Sequence, residues 1–367
     1  MGNTIKVLHV GLSSNIGGIE TVVRMWNRYK ESDFVFDFIN NDTGKLAFED
    51  EFRASGSRIY KIPSRKSDFR RSYAALDKIL KEHNYDYLHF HAMSLSWPEP
   101  ILIAAKGKRT QPIIHSHMVV DKYMSLKYRM LHTIGKMRLH NVDFSELACG
   151  FNAGQSMFTN QNFTIIPNGI ELESFYFSEN QRIRVRRELG IENNIYVIGH
   201  VGRSGPQKNY PFIFKTISEL IKAGEDNIRL LLIGDIKDDS EIKKLEMKYS
   251  LTPYIIYAGY VRDPSSYYSA MDIFFFPSLY EGFSVSLIEA QTANLPCIVS
   301  NNVALESKLT DRFEFIDIKD TAAAKESIKK YSKMNFDRTK NPDIEYDIRK
   351  TSKKMFEYYR AHITDER

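Results

Sequence analysis

Residues 196–223 read YVIGHVGRSGPQKNYPFIFKTISELIKA. The run Tyr196–Val201 is apolar and uncharged, which predicts a buried strand. A loop with two glycines and a proline follows, Gly202–Asn209, and then an amphipathic helix over Tyr210–Ala223. The same strand–loop–helix unit recurs on both sides of this stretch. Upstream, the strand Ile5–Val10 leads through the glycine loop Asn15–Glu20 into a helix over Thr21–Lys30. Strands are predicted at Phe34–Ile39, Arg58–Ile62, Tyr87–His91, Pro112–Ser116, Glu146–Cys149 and Thr164–Pro167, with a helix at Phe69–His83. Downstream, Arg229–Gly234, Ile255–Ala258, Ile273–Pro277 and Cys297–Ser300 read as strands, and Ser240–Tyr249 and Gly282–Ala293 as helices. Short apolar runs separated by amphipathic helices predict an α/β fold with parallel sheets covered on both faces. Such sheets present ligands beyond the carboxyl ends of their strands.

The chain has 367 residues, long for one domain and comfortable for two. The boundary falls after Asn168-Gly169. Residues 1–170 are read as a first Rossmann-like domain and 171–343 as a second. Residues 344–367 hold a closing helix, Ile344–His362, expected to pack back toward the first domain. Hydrophobic residues make up 43% and charged residues 26%, so an ordinary folded core is expected. Lys plus Arg is 51 and Asp plus Glu 46, a net +5 that is too mild for a nucleic-acid partner. Two cysteines, Cys149 and Cys297, form no disulfide framework and fit a reducing, cytoplasmic setting. No targeting segment is read at the start: Met1–Lys6 lacks a myristoylation signal, and Ile5–Val10 is too short for a signal h-region. No run approaches the roughly 20 apolar residues of a membrane span, so any meeting with a membrane is at its surface.

Three loops follow strand ends. In Gly202–Asn209, Arg203 offers a planar fork of donors and Lys208 a compact cation, together a match for a diphosphate. The other reading is a solvated loop. In Pro277–Ala290, Glu281 and Glu289 stand eight apart around Gly282 and the start of a helix. A helix N-terminus is an anion site, so the amides of Ser284, Val285 and Ser286 are candidates to hold a phosphate. Glu289, two turns on, can accept bonds from ribose hydroxyls. The alternative has Glu281 complementing the helix dipole and Glu289 solvated. In Gly11–Glu20, Gly17 and Gly18 allow close backbone approach to a diphosphate or a sugar, or simply make a tight turn; this is not the G-x-G-x-x-G dinucleotide fingerprint.

With these residues in place, the chain resembles retaining glycosyltransferase family 4, of GT-B fold, and particularly its bacterial capsule and exopolysaccharide members. The stretches that carry the resemblance are Asn15–Glu20, Asp86–His91, Ile113–His117, Ile165–Ile170, Gly199–Asn209 and Glu281–Glu289. It implies two Rossmann-like domains whose parallel sheets face a central cleft. It implies an enzyme that moves a sugar from a nucleotide-diphosphate donor, expected to be a UDP-sugar, to a saccharide acceptor, expected to be lipid-linked. Arg203 and Lys208 are then assigned to the diphosphate, Glu289 to the ribose, Glu281 to the transferring sugar, and His117 to the catalytic centre. Retention of anomeric configuration is implied as well. Ser284 departs from the glycine usual in the family, which affects the donor identity. Two other functions on the same architecture compete: a nucleotide-sugar epimerase, and a non-catalytic partner subunit of a glycosyltransferase.

His89 and His91, and His115 and His117, form two H-x-H pairs on single strand faces. A metal site is one reading; satisfied core histidines are the other, and His89, His91 and His115 are assigned to the core. The donor site is read as complete without a metal cofactor. Asp238-Asp239 reads as helix capping. Finally, Lys122–His140 read as a helix aligns Lys122, Arg129 and Lys136, with Tyr123, Leu126, Met130, Ile134 and Met137 on another face. A basic amphipathic helix suits an anionic membrane surface and a lipid-linked acceptor; an apolar face buried in the core is the alternative.

Overall fold

The computed structural model describes residues 4–120, 123–160 and 162–363. The chain forms two compact units, Met1–Ile170 with Tyr346–Arg367, and Glu171–Glu345.

Among the described residues, the first unit holds a seven-stranded parallel sheet. Its strands are β1 (Ile5–Val10), β2 (Phe34–Asn40), β3 (Ile59–Lys61), β4 (Tyr87–Ala92), β5 (Gln111–Ser116), β6 (Ser145–Ala148) and β7 (Thr164–Ile165), in the order β3-β2-β1-β4-β5-β6-β7. The second unit holds β8 (Tyr196–Val201), β9 (Ile228–Ile233), β10 (Ile255–Gly259), β11 (Ile273–Phe276), β12 (Cys297–Ser300) and β13 (Phe313–Ile316), in the order β10-β9-β8-β11-β12-β13. Both orders reverse direction once, between β1 and β4 and between β8 and β11. Every crossover in a parallel sheet needs a helix on a face, so strands such as β11, Ile273–Phe276, are buried throughout.

The chain leaves the first unit after Ile170 and re-enters it at Tyr346. The two passages lie side by side: Ile170 N–H donates to Tyr346 O (3.0 Å) and Ile348 N–H to Ile170 O (2.8 Å). A Cβ on Gly169 would lie 2.1 Å from Thr351 Oγ1, so only glycine fits beside the returning chain. The helix Ile348–Ala361, capped by Asp347, then lies on the first sheet. Phe356 packs on Phe34, Tyr87 Oη donates to Tyr359 O (2.6 Å), and Arg360 pairs with Asp33.

Sequence periodicity misses several elements. The helix Glu179–Glu188 lies where the sequence pattern predicts no element. It has no apolar stripe; Arg182 and Arg186 fasten it by pairing with both oxygens of Asp272. The helices Glu99–Gly107 and Thr321–Ser332 and the strand Phe313–Ile316 also go unread. The helix placed at Gly282–Ala293 begins only at Val285 and ends at Thr292. Asp239 does cap the helix Ser240–Tyr249, accepting from the amides of Glu241 and Ile242.

Two glycines fix the loops after β8 and β9. Gly234 has φ 143°, and a Cβ there would stand 2.1 Å from Gly202 O. A side chain at 234 must therefore push away the backbone that opens the Gly202–Asn209 loop. Gly234→Ala should destabilise the chain by roughly 1–3 kcal/mol, seen as a lowered Tm in calorimetry; an unchanged Tm would show that the two loops do not press on one another.

Candidate functional site

The reversal between β8 and β11 is where an open α/β sheet leaves a crevice at its carboxyl edge. The loop after β8 is Gly202–Asn209, and the loop after β11 is Pro277–Ser284. Three contacts bind them: Leu279 N–H donates to Gln207 O (2.8 Å), Gln207 Nε2 to Tyr280 O (3.1 Å), and Asn209 Nδ2 to Pro277 O (3.1 Å). Between them lies a largely buried ion pair, Lys208 Nζ to Glu281 Oε1 at 2.9 Å. The Lys208 ammonium also stands 4.4 Å from the Phe276 ring centroid. Structure thus joins two residues that sequence had given separate tasks. Arg203 is exposed at the start of the loop and carries no ion pair with a described residue.

The helix Val285–Thr292 starts from this loop with Ser284 as its N-cap, without a side-chain capping bond. Leu287 and Ile288 both donate to Ser284 O. The amides of Ser284, Val285 and Ser286 precede those bonds and have no intrahelical acceptor, as at any helix start. The Ser284 and Ser286 hydroxyls lie 3.0 Å apart. Glu289 is buried one turn further in, where its Oε2 accepts from Tyr268 Oη at 2.6 Å. Burial pushes the Glu289 carboxyl up to about 7, against the opposing effect of the tyrosine bond. The solvated reading of Glu289 is excluded by this burial. Tyr268 was invisible in sequence because it lies on another helix, Ser265–Ala270.

In the first unit, Gly17 is the N-cap of the helix Gly18–Arg28 and Gly18 its first residue, at the carboxyl end of β1. Ser13 N–H and Oγ both donate to Glu20 Oε1. The histidines gather at the same edge. His117 Nε2 lies 3.0 Å from His91 Nδ1, and His91 Nε2 lies 3.0 Å from His9 Nδ1. His9 was not singled out in sequence, although β1, β4 and β5 each carry a histidine near their carboxyl ends. Single nitrogens of His9, His89 and His91, and of His91, His115 and His117, lie within 4.8 Å of one another. The rings are turned on each other as N···N pairs, while His9 Nε2 and His115 Nε2 are buried without a partner among the described residues. Burial pushes His9 and His117 down to about 3 and His91 well below its usual range, the last helped by its histidine neighbours.

The basic helix spans Leu126–Arg138, capped by Ser125; Lys122 lies outside the described residues. One face is pinned inward: His132 Nδ1 accepts from Leu95 N–H (3.1 Å), and a Cβ on Gly135 would meet Leu95 O at 1.7 Å. Leu126, Met130 and Met137 point the other way and are more than half exposed. The apolar face is therefore not core. Arg129 is exposed, while partial burial lowers the Lys136 ammonium from its usual range. Among the described residues, no helix is long and apolar enough to cross a membrane.

Two Rossmann-like units, each a parallel sheet whose strand order reverses once, define a GT-B architecture. Residues 181–350 match the model of glycosyl transferases group 1, and this chain is a glycosyltransferase carrying that domain. It is similar to the UDP-Gal:alpha-D-GlcNAc-diphosphoundecaprenol alpha-1,3-galactosyltransferase of Escherichia coli, 26% identical over 81% of this chain and 79% of that one. It is 25% identical to the capsular polysaccharide biosynthesis glycosyltransferase CapH of Staphylococcus aureus, over 97% of this chain and 98% of CapH. Its fold matches that of Anabaena Alr3699/HepE solved with UDP and glucose, at TM-score 0.79 and 15% identity, over 97% of this chain and 100% of that one.

The buried histidines make the first unit acid-sensitive. Unfolded, each titrates near 6.5; folded, each stays neutral far below that. Between those values the unfolded chain binds more protons, so stability falls as pH drops below about 6.5, by roughly 1.4 kcal/mol per unit for each histidine. Both tryptophans, Trp26 and Trp97, lie in this unit. Tryptophan fluorescence melts should show Tm falling steeply from pH 7 to pH 5. A Tm level across that range would mean the histidines are not held neutral.

Proposed function

We propose that this glycosyltransferase transfers a sugar, with retention of configuration, from a UDP-sugar to a lipid-linked saccharide acceptor in surface polysaccharide biosynthesis. The observation that carries the donor reading is the convergence at the β8/β11 reversal of Arg203, Lys208 and the free amides of Ser284, Val285 and Ser286. The names of the E. coli and S. aureus relatives support the acceptor class and the pathway. The HepE complex with UDP and glucose supports the donor.

In this reading the bond between the sugar C1 and the phosphate oxygen breaks, and the acceptor oxygen attacks C1 from the same face. The acceptor proton passes to the departing phosphate. Charge builds on that phosphate, where Arg203, Lys208 and the helix amides stabilise it without a metal. An ammonium has three N–H donors, so Lys208 can hold Glu281 and still donate to phosphate. Glu281, braced by Lys208, faces the sugar. Glu289 keeps one oxygen for Tyr268 and offers the other to the ribose. Gly17 and Gly18 give close backbone approach to the donor, and His117 serves the transferring sugar.

Arg203→Ala and Lys208→Ala should each weaken UDP binding in calorimetry by on the order of 1.5–3 kcal/mol, and turnover should persist in EDTA. Unchanged UDP affinity in both variants would remove the donor site, and activity restored only by magnesium or manganese would remove the metal-free mechanism. Conversion of the donor without acceptor would favour the epimerase instead.

The two glutamates should separate in steady-state kinetics. Glu289→Gln should raise the donor KM, because the ribose does not change during reaction. Glu281→Gln should lower kcat with UDP affinity nearly intact. Since the Glu289 carboxyl is held up to about 7, wild-type donor KM should rise as pH falls through 7, and that dependence should vanish in Glu289→Gln. A reversed split would exchange the two assignments.

The helix Leu126–Arg138 is assigned to the cytoplasmic membrane surface. Its exposed apolar row is bordered by Lys127 and Arg138 on one side and Arg129 and Lys136 on the other, with no acidic residue in the helix. The chain should sediment with anionic vesicles and be released at roughly 0.5 M salt, and Met130→Asp with Met137→Asp should abolish binding. Equal partitioning to neutral vesicles would contradict the assignment.

A further inference from the structure

The histidines of the first unit form two ordered rows. The row His9–His91–His117 crosses β1, β4 and the end of β5. His9 and His91 lie nearly in one plane, ring centroids 5.3 Å apart at 11°. At 3.0 Å between nitrogens, that is an edge-on N–H···N bond. The second row is Tyr359–His89–His115: Tyr359 Oη lies against His89 Nδ1, and His89 Nε2 lies 3.2 Å from His115 Nδ1. The rows are stacked face to face, His89 on His91 at 4.3 Å and His115 on His117 at 4.2 Å. Trp26 closes the stack over His115 at 5.6 Å. Every ring plane is thus fixed by a neighbour.

A neutral imidazole has one N–H and one lone pair. A row of three neutral rings joined by two hydrogen bonds has only two consistent arrangements. All three carry the proton on Nδ1, or all three carry it on Nε2. The choice is made at the inner end. His9 Nε2 is buried without a partner, and the aromatic rings of Phe36 and Phe38 pack around His9. A buried acceptor left unused is tolerated more readily than a buried N–H left unpaired. The lone pair therefore belongs at His9 Nε2 and the proton at His9 Nδ1, and the same polarity runs outward. At the outer end His117 is only half-buried, and its Nδ1 has no partner among the described residues.

We propose that His9 and His91 are positioning residues that hold His117 in the tautomer with its proton on Nδ1, so that His117 presents an N–H donor to the sugar. This rests on the assignment of His117 to the transferring sugar. His9 acts two hydrogen bonds away from the group that would touch substrate. The inward nitrogen of His117 is committed to accepting from His91, so its outward nitrogen is a donor only.

The test is long-range proton–nitrogen correlation NMR on the full chain labelled with 15N-histidine, with donor kinetics alongside. Wild-type His9, His91 and His117 should all show the Nδ1–H tautomer. In His9→Phe the row loses its inner donor; His117 should gain Nε2–H character. Turnover should then fall roughly 3- to 10-fold, the contribution of one neutral hydrogen bond, while UDP affinity stays unchanged. His9→Asn replaces the lost donor with a side-chain amide and should restore both the signature and kcat. A wild-type His117 with its proton on Nε2, or a His117 tautomer indifferent to His9→Phe, overturns the proposal, and the first of these can be read even if His9→Phe does not fold. His117→Ala separates the two levels: full activity there removes His117 from the sugar, while the spectra still decide whether the row sets its tautomer.

Discussion

Parallel strands cannot be joined by tight turns, so each connection must travel back across a face of the sheet. Where the strand order reverses, the connections on either side lead away from one another and leave the strand ends uncovered. That constraint brings distant loops of this chain together at two sheet edges. At β8 and β11 it brings two loops, far apart in sequence, to one edge of the second unit. At β1, β4 and β5 it does the same for the glycine loop and the histidines of the first. The loops are then held by what they carry: a buried Lys208–Glu281 pair and bonds from the side-chain amides of Gln207 and Asn209 to the carbonyls of Tyr280 and Pro277.

A buried pair of opposite charges is a mixed contribution to stability, since removal from water offsets much of the attraction. Its value here is positional. Glu281 without Lys208 would be a carboxylate buried alone, and Lys208 without Glu281 would lie over Phe276 with its charge unanswered. Each therefore holds the other in place between the loops after β8 and β11. Glu289 is a second case of the same principle. Its burial makes the neutral form competitive near pH 7, and Tyr268 keeps one oxygen oriented. The histidine rows are the uncharged counterpart: deep burial removes the proton that would repel neighbours, and neutral rings can then stack and chain.

The alternation of apolar runs and amphipathic helices predicted both sheets, because strands buried on two faces must be apolar along their whole length. The glutamates, Arg203, Lys208 and the helix after β11 were legible for a related reason: a strand end followed by glycine and a helix start is a local pattern. What was not legible was non-local. The helix Glu179–Glu188 is too charged to show an apolar stripe, and its arginines find Asp272 some ninety residues away.

The sequence by itself determined the fold class and singled out the candidate residues of the loops after β8 and β11, since these follow from spacing along one strand and one helix. Only the tertiary structure decided which residues stand together. It paired Lys208 with Glu281, gave Glu289 its tyrosine and joined His9 to a row that no single strand contains. It also turned Leu126, Met130 and Met137 outward, because Gly135 fits against Leu95 on the opposite side. The physical reason is common to all four: hydrogen bonds, ion pairs and close packing act over a few ångströms, and strand register sets which distant residues come within that range.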